Sequence, residues 1–129
     1  MPFVFVYGTL LRGERHHAKL VGARFLGPAR TVAAFTLVSL GRFPGLVRGG
    51  QVSVQGEVYA VDPDTLAALD LLEGHPHFYR REPIALAPGA PPGLAPEGEV
   101  LAYILSGDAA EGAPRIDTGS WRAWVAAGG

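Results

Sequence analysis

Cysteine is missing from all 129 residues. That excludes a disulfide framework, a thiol nucleophile and a zinc–thiolate site, and it fits a reducing compartment. Lysine is almost missing: Lys19 is the only one, and arginine supplies the other basic side chains. Eleven basic against twelve acidic residues give a net charge of −1. A nucleic-acid partner would need a clustered basic face, so none is expected. No apolar run approaches the length of a membrane span. The N-terminus has no basic region ahead of its first apolar stretch, so it reads as cytoplasmic rather than secreted. Charged residues make up 18% and hydrophobic ones 48%, which excludes a disordered chain. The length fits a single domain over residues 1–129. Nothing in the sequence sets an oligomeric state.

Strand-like runs dominate what is present. Phe3–Tyr7 is apolar throughout and reads as a central strand buried on both faces. Gly8–Arg15 follows as a loop, and His16–Val21 as a short helical turn. Two runs, 23–26 and 31–40, read as strands broken by Gly27-Pro28, with 46–48 as a short edge strand. Residues 51–61 alternate: Val52, Val54, Gly56, Val58 and Ala60 face one way, and Gln55, Glu57 and Tyr59 the other. One helix is firmly signalled. Asp62 caps it, Pro63 suits its first position, Asp64 favours its positive end, and Gly74 after Glu73 supplies a left-handed stop. Residues 79–86 and 99–105 read as strands around a Pro/Gly-rich excursion at 88–98. Residues 120–125 read as a terminal helix with Trp121 and Trp124 on one face. Too few helices exist for a βαβ array, so the expected class is α+β with a mixed sheet.

The spacing Gly8-Thr9-Leu10-Leu11-Arg12-Gly13 invites comparison with a phosphate loop. It fails, because Glu14-Arg15 stands where Lys-Ser/Thr is required. A strand opening into Tyr7-Gly8-Thr9-Leu10 can still present backbone N–H groups to a carboxylate or oxyanion, and equally can be an ordinary turn. Glu73 sits in the last helical turn, where the dipole disfavours a carboxylate by about 0.3–1 kcal/mol. Leu66, Leu69, Asp70 and Glu73 share a face at i, i+3, i+4, i+7 spacing. If that face is buried, Glu73 has a raised pKa suited to a general base that later acts as an acid. The other reading is a solvated Glu ahead of a glycine cap. His16, His17, His75 and His77 lack the partners of a metal site and read as structural or surface residues.

Read in order, the segments resemble the γ-glutamylcyclotransferase-like proteins, including the γ-glutamylamine cyclotransferase branch. The matching stretches are Val4-Phe5-Val6-Tyr7-Gly8-Thr9-Leu10, Phe43-Pro44-Gly45-Leu46-Val47, Val54-Gln55-Gly56-Glu57-Val58-Tyr59, Leu69-Asp70-Leu71-Leu72-Glu73-Gly74 and Tyr79-Arg80-Arg81. Gly119-Ser120-Trp121-Arg122 is similar to the family's Gly-Asp-Trp ending, with Ser120 as a departure. The resemblance implies a small mixed β-barrel with flanking short helices and a cavity at its mouth. It implies that Tyr7, Gly8, Thr9 and Leu10 line the cavity, that Glu73 is the acid/base, and that no metal or organic cofactor takes part. Tyr7 and Tyr79 are candidates for holding the substrate. The implied reaction turns a small γ-glutamyl amine or peptide into 5-oxoproline and a free amine. The alternatives are a non-catalytic metabolite-binding module on the same fold, or an interaction protein whose own side chains fill the cavity.

Overall fold

A computed structural model describes residues 2–94 and 99–129. Its strands are β1 (Phe3–Val6), β2 (Arg24–Arg30), β3 (Phe35–Ser39), β4 (Pro44–Arg48), β5 (Gln55–Ala60), β6 (Tyr79–Ile84) and β7 (Val100–Leu105). Its helices are α1 (Pro63–Glu73), α2 (Gly107–Ala110) and α3 (Trp121–Ala126), with a 3₁₀ turn at His17–Leu20. The class is α+β. All seven strands join one mixed sheet in the order β2-β5-β1-β7-β4-β3, with β6 as a branch on β7. The sheet does not close, because β2 and β3 end the path without pairing with each other, so a barrel describes it only loosely.

β6 pairs with β7 along its whole length, from Tyr79↔Leu105 to Ile84↔Val100. β1 and β4 must therefore share the other edge of β7. β1 pairs in parallel with its first residues (Phe3↔Val100, Val4↔Leu101), and β4 pairs in parallel further on (Leu46↔Ile104). Where β1 leaves and β4 begins, the sheet has a seam.

Burial follows the two-residue period of β1. Val4 and Val6 join a core with Leu69 of α1 and Leu20 of the 3₁₀ turn. Phe5 and Tyr7 join a second core with Leu37, Leu46 and Trp121. Helix α1 matches its sequence signals. Asp62 Oδ1 accepts from the Thr65 N–H at 2.7 Å, and Gly74 takes a left-handed φ of 67°. Leu69 is fully buried, while Leu66, Asp70 and Glu73 on the same face are half-buried.

Several expectations need correcting. Gly27-Pro28 does not break a strand: β2 runs through it, absorbing the irregularity as a register shift between Phe25 and Gly27. β4 is not an edge strand but lies between β3 and β7. On β5, Glu57 and Tyr59 are buried as well as Val58, so both of its faces are covered there. The excursion at 88–98 lies partly outside the described residues. Helix α2 was not expected, although Ser106 caps it, its Oγ accepting from the Ala109 N–H at 3.1 Å. At α3, Ser120 Oγ accepts from the Ala123 N–H at 3.1 Å, which is the capping task an Asp would perform there.

Candidate active site

A cavity of about 230 Å³ opens at the seam. Tyr7, Gly8, Thr9, Leu10, Glu73 and Tyr79 all line it. The six residues singled out from the sequence are thus brought together, although Glu73 arrives from the end of α1 and Tyr79 from the start of β6.

The two tyrosines face the cavity with their rings rather than with free hydroxyls. Tyr7 Oη donates to the Tyr103 carbonyl at 2.7 Å and accepts from the Leu46 N–H at 3.2 Å. Its hydroxyl thus bridges β7 and β4. Tyr79 Oη donates to the Pro44 carbonyl at 2.5 Å. Both hydroxyls therefore fix the start of β4. Burial holds the Tyr7 hydroxyl well above its usual pKa, with the nearby Tyr79 and Glu73 adding to the shift. Burial first and Glu73 second raise Tyr79 as well.

The loop after β1 is pinned at several points. Leu11 N–H donates to Gly8 O at 3.1 Å, and His16 N–H to Thr9 O at 2.9 Å. Thr9 Oγ1 lies 3.0 Å from His16 Nδ1, and Leu10 O lies 3.0 Å from His17 Nδ1. The Arg12 N–H donates to Glu57 Oε1 at 3.0 Å. Within this frame the N–H groups of Gly8, Thr9 and Leu10 donate to no acceptor among the described residues. Three consecutive uncommitted amides beside a cavity can hold an anion. Glycine is required at position 8 for packing: a Cβ there would lie 2.5 Å from Pro44 Cγ.

Glu73 and Asp70 share a face of α1 but differ in surroundings. Asp70 pairs with Arg81 and accepts from Tyr103 Oη at 2.8 Å. Glu73 has no ion pair or hydrogen bond among the described residues, and burial pushes its carboxyl up to about 7. A carboxyl poised there can take a proton and return it near neutral pH. Among the described residues, no group of three or more His, Asp or Glu is placed to hold a metal ion.

Sequence reasoning did not single out Arg15, His16, Phe43, Phe78 or Tyr103, which also line the cavity. Burial, with Arg15 and Lys19 nearby, lowers the His16 pKa below its usual value. Glu57 was also passed over. It is 7% exposed, accepts from Tyr59 Oη at 3.1 Å as well as from Arg12, and lies 3.6 Å from Arg122 Nη1. It faces a separate depression beside α3, not the cavity.

The family model for "Gamma-glutamyl cyclotransferase, AIG2-like" matches residues 4–123. The chain belongs to this family. A Vibrio cholerae member, whose name as a γ-glutamylcyclotransferase is itself provisional, is 53% identical over 81 residues, covering 63% of this chain and 70% of that one. The rat γ-glutamylaminecyclotransferase is 40% identical over 90 residues, covering 63% of this chain and 60% of its own length. Among solved structures, a protein specific to uropathogenic E. coli superposes with a TM-score of 0.78 at 30% identity, covering 97% of this chain and 95% of that one. Family membership supports a cyclotransferase-type activity on small γ-glutamyl compounds. Among the described residues, no helix is long and apolar enough to cross a membrane.

Proposed function

We propose that this domain, over residues 1–129, converts a γ-glutamyl amine or peptide to 5-oxoproline and a free amine without a cofactor. The observation that carries this reading is the pairing, in one cavity, of an unengaged acid near pKa 7 with three uncommitted amides. The substrate supplies its own nucleophile. Its α-amine attacks its γ-carbonyl, so the chain needs neither thiol nor activated serine. Holding amine and carbonyl in contact is worth about 7–11 kcal/mol in favourable intramolecular systems. Glu73 takes the proton that the attacking nitrogen loses as the new C–N bond forms. It delivers that proton to the departing nitrogen as the old amide bond breaks. The Gly8, Thr9 and Leu10 amides stabilise carboxylate and oxyanion charge. Tyr7 and Tyr79 contribute ring surface and hold β4 in place, which keeps the cavity open.

The test is 5-oxoproline release across a panel of γ-glutamyl compounds, with Glu73→Gln as the comparison. A lost general base costs about 10²- to 10⁴-fold in kcat. Full activity in Glu73→Gln removes the acid/base assignment. Saturable binding without turnover in the unmodified protein favours the binding-module alternative.

A further inference from the structure

Resting on the cyclotransferase reading, we propose that the departing amine is an α-amino acid with an apolar or aromatic side chain and a free carboxylate. Arg15 holds the carboxylate, and Phe43 and Phe78 receive the side chain. These three residues line the cavity but have no part in the proton transfer.

The aromatic wall is built from contacts within the chain. Phe78 packs edge-on against Tyr79 at 5.0 Å and against Phe43 at 6.2 Å. Phe78 nevertheless remains 46% exposed, one of the few large apolar side chains left so. Tyr79 spends its hydroxyl on Pro44, so this wall offers carbon rather than hydrogen bonds. An apolar group laid on it gains burial that the folded chain alone does not supply.

Arg15 is the matching charge. Its Nη2 donates to the Arg42 carbonyl at 2.8 Å. The ion pairs among the described residues use Arg48, Arg81 and Arg122, and none uses Arg15. A guanidinium carries five N–H donors in a fork that fits a carboxylate. The bond to Arg42 also ties the cation to the residue next to Phe43. Charge and aromatic surface are thus neighbours, as the carboxylate and side chain of one α-carbon are.

The same cavity disfavours a departing group with a second ammonium, such as lysine joined through its side chain. Among the described residues Glu73 is the only carboxylate lining the cavity, and Asp70 is engaged by Arg81 and Tyr103. An ammonium drawn to Glu73 would hold that carboxylate ionised and oppose its taking a proton.

Four substrates separate the terms: γ-glutamyl-phenylalanine, γ-glutamyl-phenethylamide (the same ring without the carboxylate), γ-glutamyl-alanine and γ-glutamyl-ε-lysine. The expected kcat/KM is highest for the phenylalanine compound, by about tenfold over the phenethylamide. In Arg15→Gln the ratio of those two rates falls to within about twofold. Equal rates in the unmodified protein, a ratio that survives Arg15→Gln, or the lysine compound turning over fastest would each overturn the inference while leaving the cyclotransferase reading intact. Release of 5-oxoproline from none of the four would overturn that reading and the inference with it.

Discussion

Replacing Glu73 by Gln should make the protein more stable as pH rises, even as it removes the proposed acid/base. Burial lifts the Glu73 carboxyl from 4.5 to about 7. A carboxyl with a raised folded-state pKa destabilises the fold once the unfolded chain can ionise it. Below about pH 4.5 both states hold the proton and there is no penalty. Between about 4.5 and 7 the unfolded chain releases the proton while the folded chain keeps it, so stability falls with rising pH. Above about 7 both are ionised and the penalty is constant. At 1.36 kcal/mol per pKa unit, its size is roughly 3 kcal/mol. Gln has the same shape and never ionises. Urea unfolding of both proteins at pH 4.5, 6 and 8 gives the comparison. The Gln variant should gain little at pH 4.5 and about 2–3 kcal/mol at pH 8. A stability difference that does not change with pH would refute the claim that burial strains this carboxylate.

On the proposed mechanism the same group sets the pH dependence of the reaction. Because Glu73 must be ionised to accept a proton, kcat/KM should rise as pH passes through about 7 and then level off, and an acidic limb near 4.5 would place the base elsewhere. Tyr7→Phe removes the hydroxyl shared by Leu46 N–H and the Tyr103 carbonyl, and should cost about 1–3 kcal/mol in chemical denaturation, with no loss expected if that hydroxyl is solvated instead. Ser120→Ala removes the α3 cap and should cost about 1 kcal/mol, which Ser120→Asp should restore.

Helix α1 was legible because its signals are local. Asp62, Pro63 and Gly74 each act on backbone groups within four residues, and the structure uses all three as the sequence indicates. The sequence placed Glu73 on the same face as Leu69 but left open whether that face is buried; the fold decides it, with Leu69 fully buried and Glu73 half-buried beside it. What was not legible depends on residues far apart in the chain. Glu57 looked like a polar position on an alternating strand. Its burial follows from Arg12, 45 positions away, and from Arg122, neither of which any local pattern connects to it. Arg15 stood at the end of a loop and His16 at the start of a helical turn, and only the fold brings both to the cavity that Phe43 also lines.

The tyrosines show why a correct residue can carry an incomplete role. Tyr7 and Tyr79 were expected only as candidates for holding the substrate. The sheet imposes a prior demand. With β6 filling one edge of β7, β1 and β4 must divide the other, and at the break the Tyr7 and Tyr79 hydroxyls bond the Leu46 N–H and the Tyr103 and Pro44 carbonyls. Buried backbone groups left unpaired are costly, so the nearest hydroxyls satisfy them. That also explains why the cavity lies where it does. A continuous β1–β7–β4 ladder would leave no gap for it. The cavity lies at the seam, the two hydroxyls tie the start of β4 beside it, and Gly8 lets the loop lie against Pro44 at its rim. The amides and Glu73 then meet across a space that the strand topology makes, which is why neither could be located from its own stretch of sequence.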